Sequence, residues 1–186
     1  MKKIMIVLAL LLMLAACSNS EEATGNQNTA NDGNSANENN AVDHGIEDKE
    51  VGFTLGDDGK VIEADVPAEE AAAILAAYQE YIDAFNAENL DRYMNVISEN
   101  PEGFDREEDR KALEDTFAAY DTTYKTSDET IVKYEENRAE VYATNIVTVK
   151  DPNSEKATEQ SGRQVVVFKK EGNEWRVSSL HFIGNQ

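Results

Sequence analysis

The sequence predicts an α+β domain in which helices come first and an antiparallel sheet follows. Between residues 68 and 120, apolar side chains recur every three or four positions, which is the period of an amphipathic helix. After Asp121 the period falls to two and β-branched and aromatic residues become frequent, as in strands with two different faces. These two periods predict one domain, over residues 51–186, with its helices before its sheet.

Three helices are expected. The first begins near Pro67, whose fixed φ suits an early helical position, and ends near Asn86. The second covers Leu90–Ile97, because Asn100 precedes a proline and such residues avoid helical dihedrals. The third begins after Asp105 in a capping-box pattern. Their apolar stripes are Ala71, Ile74, Leu75, Tyr78, Ile82 and Phe85, then Leu90, Tyr93, Met94 and Ile97, and then Leu113, Phe117 and Tyr120.

Four antiparallel strands are expected after the helices. They lie near residues 130–134, 139–150, 165–168 and 175–182. The last two strands are joined at Gly172 and Asn173, a pair that favours a tight turn. In the second strand, mainly apolar residues at odd positions alternate with mainly polar residues at even positions, so its two faces differ. Residues 51–66 add a candidate N-terminal hairpin.

Two stretches resemble the NTF2-like superfamily, which includes SnoaL-like proteins and ketosteroid isomerases, over about residues 68–183. Residues 81–91, read as YIDAFNAENLD, are similar to its first-helix pattern. Residues 166–177 are similar to its last hairpin, in which Trp175 opens the final strand. The resemblance implies a curved sheet that wraps the first helix into a cone with an internal cavity, and a homodimer through the open sheet. It fixes no activity, because the superfamily contains both enzymes and binding proteins.

The resemblance matches the isomerase machinery only in part. It implies a helix tyrosine and a sheet aspartic acid that bind an oxyanion, with an aspartate as the base. Tyr81 matches the tyrosine, but the sheet acid falls near Val166, which cannot donate a hydrogen bond. The base would have to be Glu102 or Asp105 in a short loop. We therefore predict no catalytic residue and no enzymatic activity; an isomerase or hydrolase with an unrecognised carboxylate is the alternative.

Composition limits the partners and cofactors. The net charge of −20 opposes phosphate binding, so no nucleic-acid partner is predicted. The two histidines, His44 and His181, are too few for a histidine-rich metal site, and no calcium-binding loop pattern occurs. We expect His181 to be a hydrogen-bonded strand residue. No metal and no cofactor is predicted.

One polar residue, Asn145, interrupts the apolar face of the second strand. A buried amide needs hydrogen-bond partners or a ligand. Together with Tyr81 and Tyr120, Asn145 would supply the polar groups of a largely apolar ligand pocket. The alternative is an amide with a structural role at a bulge or sheet edge. The predicted function is non-catalytic binding of a small hydrophobic ligand or an envelope protein; an interaction module without a cavity is a further alternative.

The N-terminus has the pattern of an exported protein. A basic start precedes an apolar run over residues 4–16, which is shorter than the roughly 20 residues that span a bilayer. The run ends in Leu14, Ala15, Ala16 and Cys17, which resembles the lipobox of bacterial lipoproteins. The resemblance implies that 1–16 is a signal peptide and that Cys17, the only cysteine, carries the lipid. We expect a cell-membrane protein that faces away from the cytoplasm.

Residues 17–50 are expected to be a disordered tether. They contain no aromatic residue, and their only aliphatic residues larger than alanine are Val42 and Ile46. Such a segment buries too little surface to fold. Its root-mean-square reach is roughly 30 Å, which would hold the domain clear of the lipid head groups.

Overall fold

The computed structural model describes residues 51–154 and 156–184. In this part of the chain the helices come first: α1 Ala68–Asn86, α2 Leu90–Val96 and α3 Arg106–Ala119. The strands follow: β1 Asp121–Glu135, β2 Arg138–Lys150, β3 Ala157–Glu171 and β4 Glu174–Gly184. They form one antiparallel sheet in the order β1-β2-β3-β4. The predicted α+β class is confirmed. The predicted signal peptide 1–16, Cys17 and the tether 17–50 lie outside the described residues.

The helix ends follow from local chemistry. Pro67 is the N-cap of α1 rather than a helical residue. The Asn89 side chain accepts a hydrogen bond from the Arg92 N–H at the start of α2, and Asp105 accepts two at the start of α3. The predicted face of α3, Leu113, Phe117 and Tyr120, is only half-buried, because this helix packs at the margin of the core and has no fully buried residue. None of the helices in the described ranges is long and apolar enough to cross a membrane.

Two strands are longer than predicted, because their first halves are polar and carry little hydrophobic signal. β1 begins at Asp121 and β3 at Ala157. β1 contains a bulge near Asp128, whose φ of 60° is left-handed, and this bulge bends the strand. The side chain of Asn86, at the end of α1, accepts from the Tyr124 N–H at 2.7 Å and donates to the Tyr124 carbonyl at 2.8 Å. Asn86 thereby hydrogen-bonds with both backbone groups of Tyr124 and connects the end of α1 to β1.

The inner face of the sheet packs on α1 and contains the hydrophobic core. Residues from this face include Val141 of β2, Val166 and Phe168 of β3, and Val177 of β4, all fully buried. They pack with Ile74, Tyr78 and Ile82 of α1. Glu70, near the start of α1, accepts a hydrogen bond from the Trp175 indole at 2.9 Å and pairs with Lys170. These contacts fix the last hairpin against the first helix.

The outer face of the sheet is also buried near the start of β2. Glu140 is 2% exposed, and its carboxylate accepts from the Gly52 N–H at 3.2 Å and pairs with Arg138 at 3.3 Å. The Phe53 ring lies 4.6 Å from that of Tyr142, measured between centroids. Residues 139–143 are therefore buried on both faces, and the two faces of β2 do not differ in burial there. The segment before α1 produces this burial.

The loop between α2 and α3 covers the edge of β4. Ile97 forms a parallel bridge with Val177, and the Glu102 N–H donates to the Ser178 carbonyl at 2.7 Å. The Glu102 carboxylate pairs with Lys169 and with Arg138, which lie on the outer face. Because these cations hold it there, Glu102 is not available on the inner face.

Candidate functional site

Asn145, the polar residue identified from the sequence, lies on the inner face of β2 and is 1% exposed. Its amide nitrogen donates to the Tyr124 hydroxyl and to Gln164 Oε1, both at 2.9 Å. The Tyr124 hydroxyl also donates to Gln164 Oε1. Tyr124 belongs to β1 and Gln164 to β3, so the three side chains join three neighbouring strands. These three residues are termed the Asn145 triad below.

The triad leaves one strong acceptor without a partner. Asn145 Oδ1 is buried, and no residue that the structure describes donates a hydrogen bond to it. Its nitrogen already makes two hydrogen bonds within the triad, so the oxygen is the atom of this amide that is left unpaired. Leaving such an atom unpaired costs about 1–3 kcal/mol. The arrangement can therefore accept a hydrogen bond from a ligand.

The triad is uncharged over the physiological pH range. Burial raises the pKa of Tyr124 to about 12, against the opposing effect of its hydrogen bonds with Asn145 and Gln164. The other two members are amides, which do not titrate. The site therefore offers hydrogen-bonding groups without a net charge, which suits recognition of a neutral group.

A second polar cluster lies between the helices. Tyr81 and Tyr93 are both buried, with ring centroids 5.5 Å apart. Burial raises the pKa of Tyr81 well above its ordinary value. Burial also raises the pKa of Asp109 on α3 to about 6, although Tyr93 and Arg106 act to lower it. Asp109 is thus a carboxyl group able to exchange a proton near neutral pH.

The other residues considered from the sequence, Tyr120, His181 and Asp105, do not belong to the Asn145 triad. Tyr120 is the C-cap of α3 and is half-buried, and no hydrogen bond among the described residues joins its hydroxyl to Asn145. His181 pairs in register with Val165 on the outer face, with Nε2 3.2 Å from Ser179 Oγ. Asp105 caps α3. Within the described ranges, no group of three side chains that could hold a metal ion occurs.

The geometry can be compared with known families. The model of the family described as the anti-sigma-I factor RsgI9, C-terminal domain, matches residues 76–183, more than half of the chain. The chain belongs to this family. The RsgI9 C-terminal-domain match runs from within α1 to the last strand, so it includes Tyr81, Asp109 and the whole Asn145 triad. No curated protein matches the chain.

Solved structures share the NTF2-like fold with this member of the RsgI9 C-terminal-domain family. A proposed aromatic ring hydroxylase from Novosphingobium aromaticivorans is 16% identical, with 66% of this chain and 93% of that chain covered and a TM-score of 0.60. An NTF2-like superfamily protein from Salmonella enterica serovar Typhimurium is 13% identical, with 63% and 91% covered and a TM-score of 0.54. A proposed dehydratase of the NTF2-like family from Streptomyces avermitilis is 13% identical, with 64% and 99% covered and a TM-score of 0.54. At these identities the likeness concerns the fold alone.

Sequence reasoning identified Asn145 and Tyr81 but missed their neighbours. Gln164 precedes the apolar run of β3 and lies in a polar stretch, so no period marked it as buried. Asp109 lies among the exposed acidic residues at the start of α3, and only the folded packing distinguishes it. Tyr124 could have been identified, because it alternates with the polar residues Thr123 and Lys125, as expected for the buried face of a strand.

Proposed function

We propose that this protein is a lipid-anchored recognition protein whose NTF2-like domain binds a small, largely apolar molecule on the inner face of its sheet without transforming it. One observation carries the binding part: the buried Asn145 Oδ1 accepts no hydrogen bond within the described residues. The family description is compatible with a binding role, because it is that of the C-terminal domain of an anti-sigma factor. The absence of a match to the isomerase acid at Val166 agrees with binding without catalysis.

The anchoring part rests on the lipobox-like sequence that ends in Cys17. The Cys17→Ser variant should move from the membrane fraction to the soluble or secreted fraction and should lose incorporation of labelled fatty acid. Ser18→Ala is the matched control and should remain in the membrane. Labelled fatty acid on the Cys17→Ser variant would contradict this part of the proposal without affecting the binding part.

Native mass spectrometry of the protein isolated from its own cells tests the binding part. The wild-type protein should carry a small-molecule adduct, which Asn145→Ala should lose. Asn153→Ala removes a side-chain amide of the same type from an exposed turn, and this variant should keep the adduct. A second protein retained by the wild type and by both variants would favour the envelope-protein alternative. A homodimer through the sheet would appear as a doubled mass, and it would have to avoid the part of the outer face covered by Gly52 and Phe53.

A second candidate function, acid–base catalysis, is favoured by Asp109. Its raised pKa and its position beside Tyr93 and near Tyr81 provide the carboxyl group that the sequence did not reveal. If the domain is an isomerase, it should turn over a hydrophobic carbonyl substrate. Asp109→Asn and Tyr81→Phe should then each reduce turnover by roughly 100-fold or more. Turnover abolished by either change would replace the non-catalytic proposal.

A further inference from the structure

The inner face beside Asn145 lacks side chains on two consecutive strands. In the sheet register, Asn145 of β2 is paired with Gly162 of β3, and Gly162 is paired with Gly184 of β4. Directly paired residues point to the same face of a sheet. The row that runs from Thr126 of β1 through the Asn145 amide therefore continues over two residues without a Cβ. A glycine inside a strand is typical of a place that another group approaches closely.

The neighbouring rows carry uncharged side chains, some apolar and some polar, since Gln160 and Gln164 flank Gly162 on β3. Val147, two residues beyond Asn145, lies on one side of the row. Phe182, paired with Gln164, lies on the other. The triad itself contributes no charge, and a charged ligand would lose its hydration here without a counterion. The surroundings thus favour an uncharged ligand.

The hydrogen bond left open at the triad is one that Asn145 accepts. Tyr124 and Gln164 occupy the Asn145 nitrogen, so the oxygen is left to accept a hydrogen bond. A ligand that itself has only acceptors would leave that oxygen unpaired, whereas a ligand with an N–H or O–H group would satisfy it.

From this arrangement we infer the chemical class of the ligand: a neutral molecule that lies over Gly162 and donates one hydrogen bond, from an N–H or O–H group, to Asn145 Oδ1. The inference rests on the proposed ligand-binding function. It assigns Asn145 as the residue that selects for a donor and Gly162 as the residue that provides space.

Indole and benzofuran test this inference, because they have nearly the same shape but exchange an N–H donor for an oxygen acceptor. The full chain should bind indole at least about tenfold more tightly than benzofuran in isothermal titration calorimetry in one buffer, a ratio that corresponds to about 1.4 kcal/mol. Asn145→Ala should reduce that ratio to about one. Gly162→Val should weaken both probes, because its side chain occupies the same space. Asn153→Ala should leave both affinities unchanged.

The outcomes separate this inference from the function on which it rests. Equal affinities of the wild-type chain for the two probes, or binding of neither, would overturn the donor class. An adduct found by native mass spectrometry under those conditions would leave the binding function standing. If Gly162→Val loses the circular dichroism of the folded chain, Gly162→Ala takes its place, and the Asn145→Ala ratio remains decisive. A preference for indole that survives Asn145→Ala would also overturn the inference.

Discussion

Removal of the Glu140 carboxylate should destabilise the domain through the outer face of the sheet. Glu140 is 2% exposed and contacts Arg138 at 3.3 Å, Lys133 at 3.7 Å and the Gly52 N–H at 3.2 Å. Loss of one partner of a buried ion pair costs about 3–5 kcal/mol. The cost should lie near the lower end, about 3 kcal/mol, because Arg138 keeps Glu102 at 3.4 Å and the half-exposed Lys133 can turn to water.

Urea unfolding followed by Trp175 fluorescence measures this cost, because Trp175 is the only tryptophan and is 4% exposed. Glu140→Ala should lower the free energy of unfolding by about 3 kcal/mol. Glu159→Ala, which removes an exposed carboxylate from β3, should change it by no more than about 0.5 kcal/mol. If the two variants lose similar free energy, the segment before α1 does not bury Glu140 in solution and the reasoning is refuted.

Two further predictions concern stability. Asn86→Ala should lower the free energy of unfolding by about 1 kcal/mol, because it removes both hydrogen bonds to Tyr124 at an exposed position where water can replace them, whereas Asn95→Ala, at an equally exposed position, should have little effect; equal losses would contradict the role of Asn86. Asp109 has a folded pKa of about 6, above its unfolded value near 3.8, so folding opposes its ionisation and stability falls as the pH rises between these values. Asp109→Asn should therefore stabilise the domain by at most about 3 kcal/mol above pH 7, with no difference below about pH 4 in a urea series across pH; a pH-independent difference would show that Asp109 is not buried as described.

The order of elements could be predicted from sequence because each period directly reflects which face is buried. The helical stripe of Ile74, Tyr78 and Ile82 and the strand residues Val141 and Val166 all lie in the core. Strand lengths could not be predicted, because the first halves of β1 and β3 are held by backbone pairing rather than by apolar burial. The burial of Glu140 depends on a segment more than 80 residues earlier in the chain, and no local pattern contains that information.

The candidate site, too, could be predicted from the sequence only in part. Asn145 could be identified because one amide on an apolar face breaks a local pattern. Its two partners come from the neighbouring strands, and the pairing that brings Gln164 and Tyr124 beside it depends on the sheet register. The raised pKa of Asp109 results from the packing of α3 beside Tyr93, which composition cannot indicate.

The most direct test of this account is a crystal structure of the protein isolated from its own cells. It should show a non-protein molecule over Gly162, with a nitrogen or oxygen atom about 2.7–3.2 Å from Asn145 Oδ1. A protein side chain that fills that position and donates to Asn145 Oδ1 would contradict the account, since the amide would then have a structural role only.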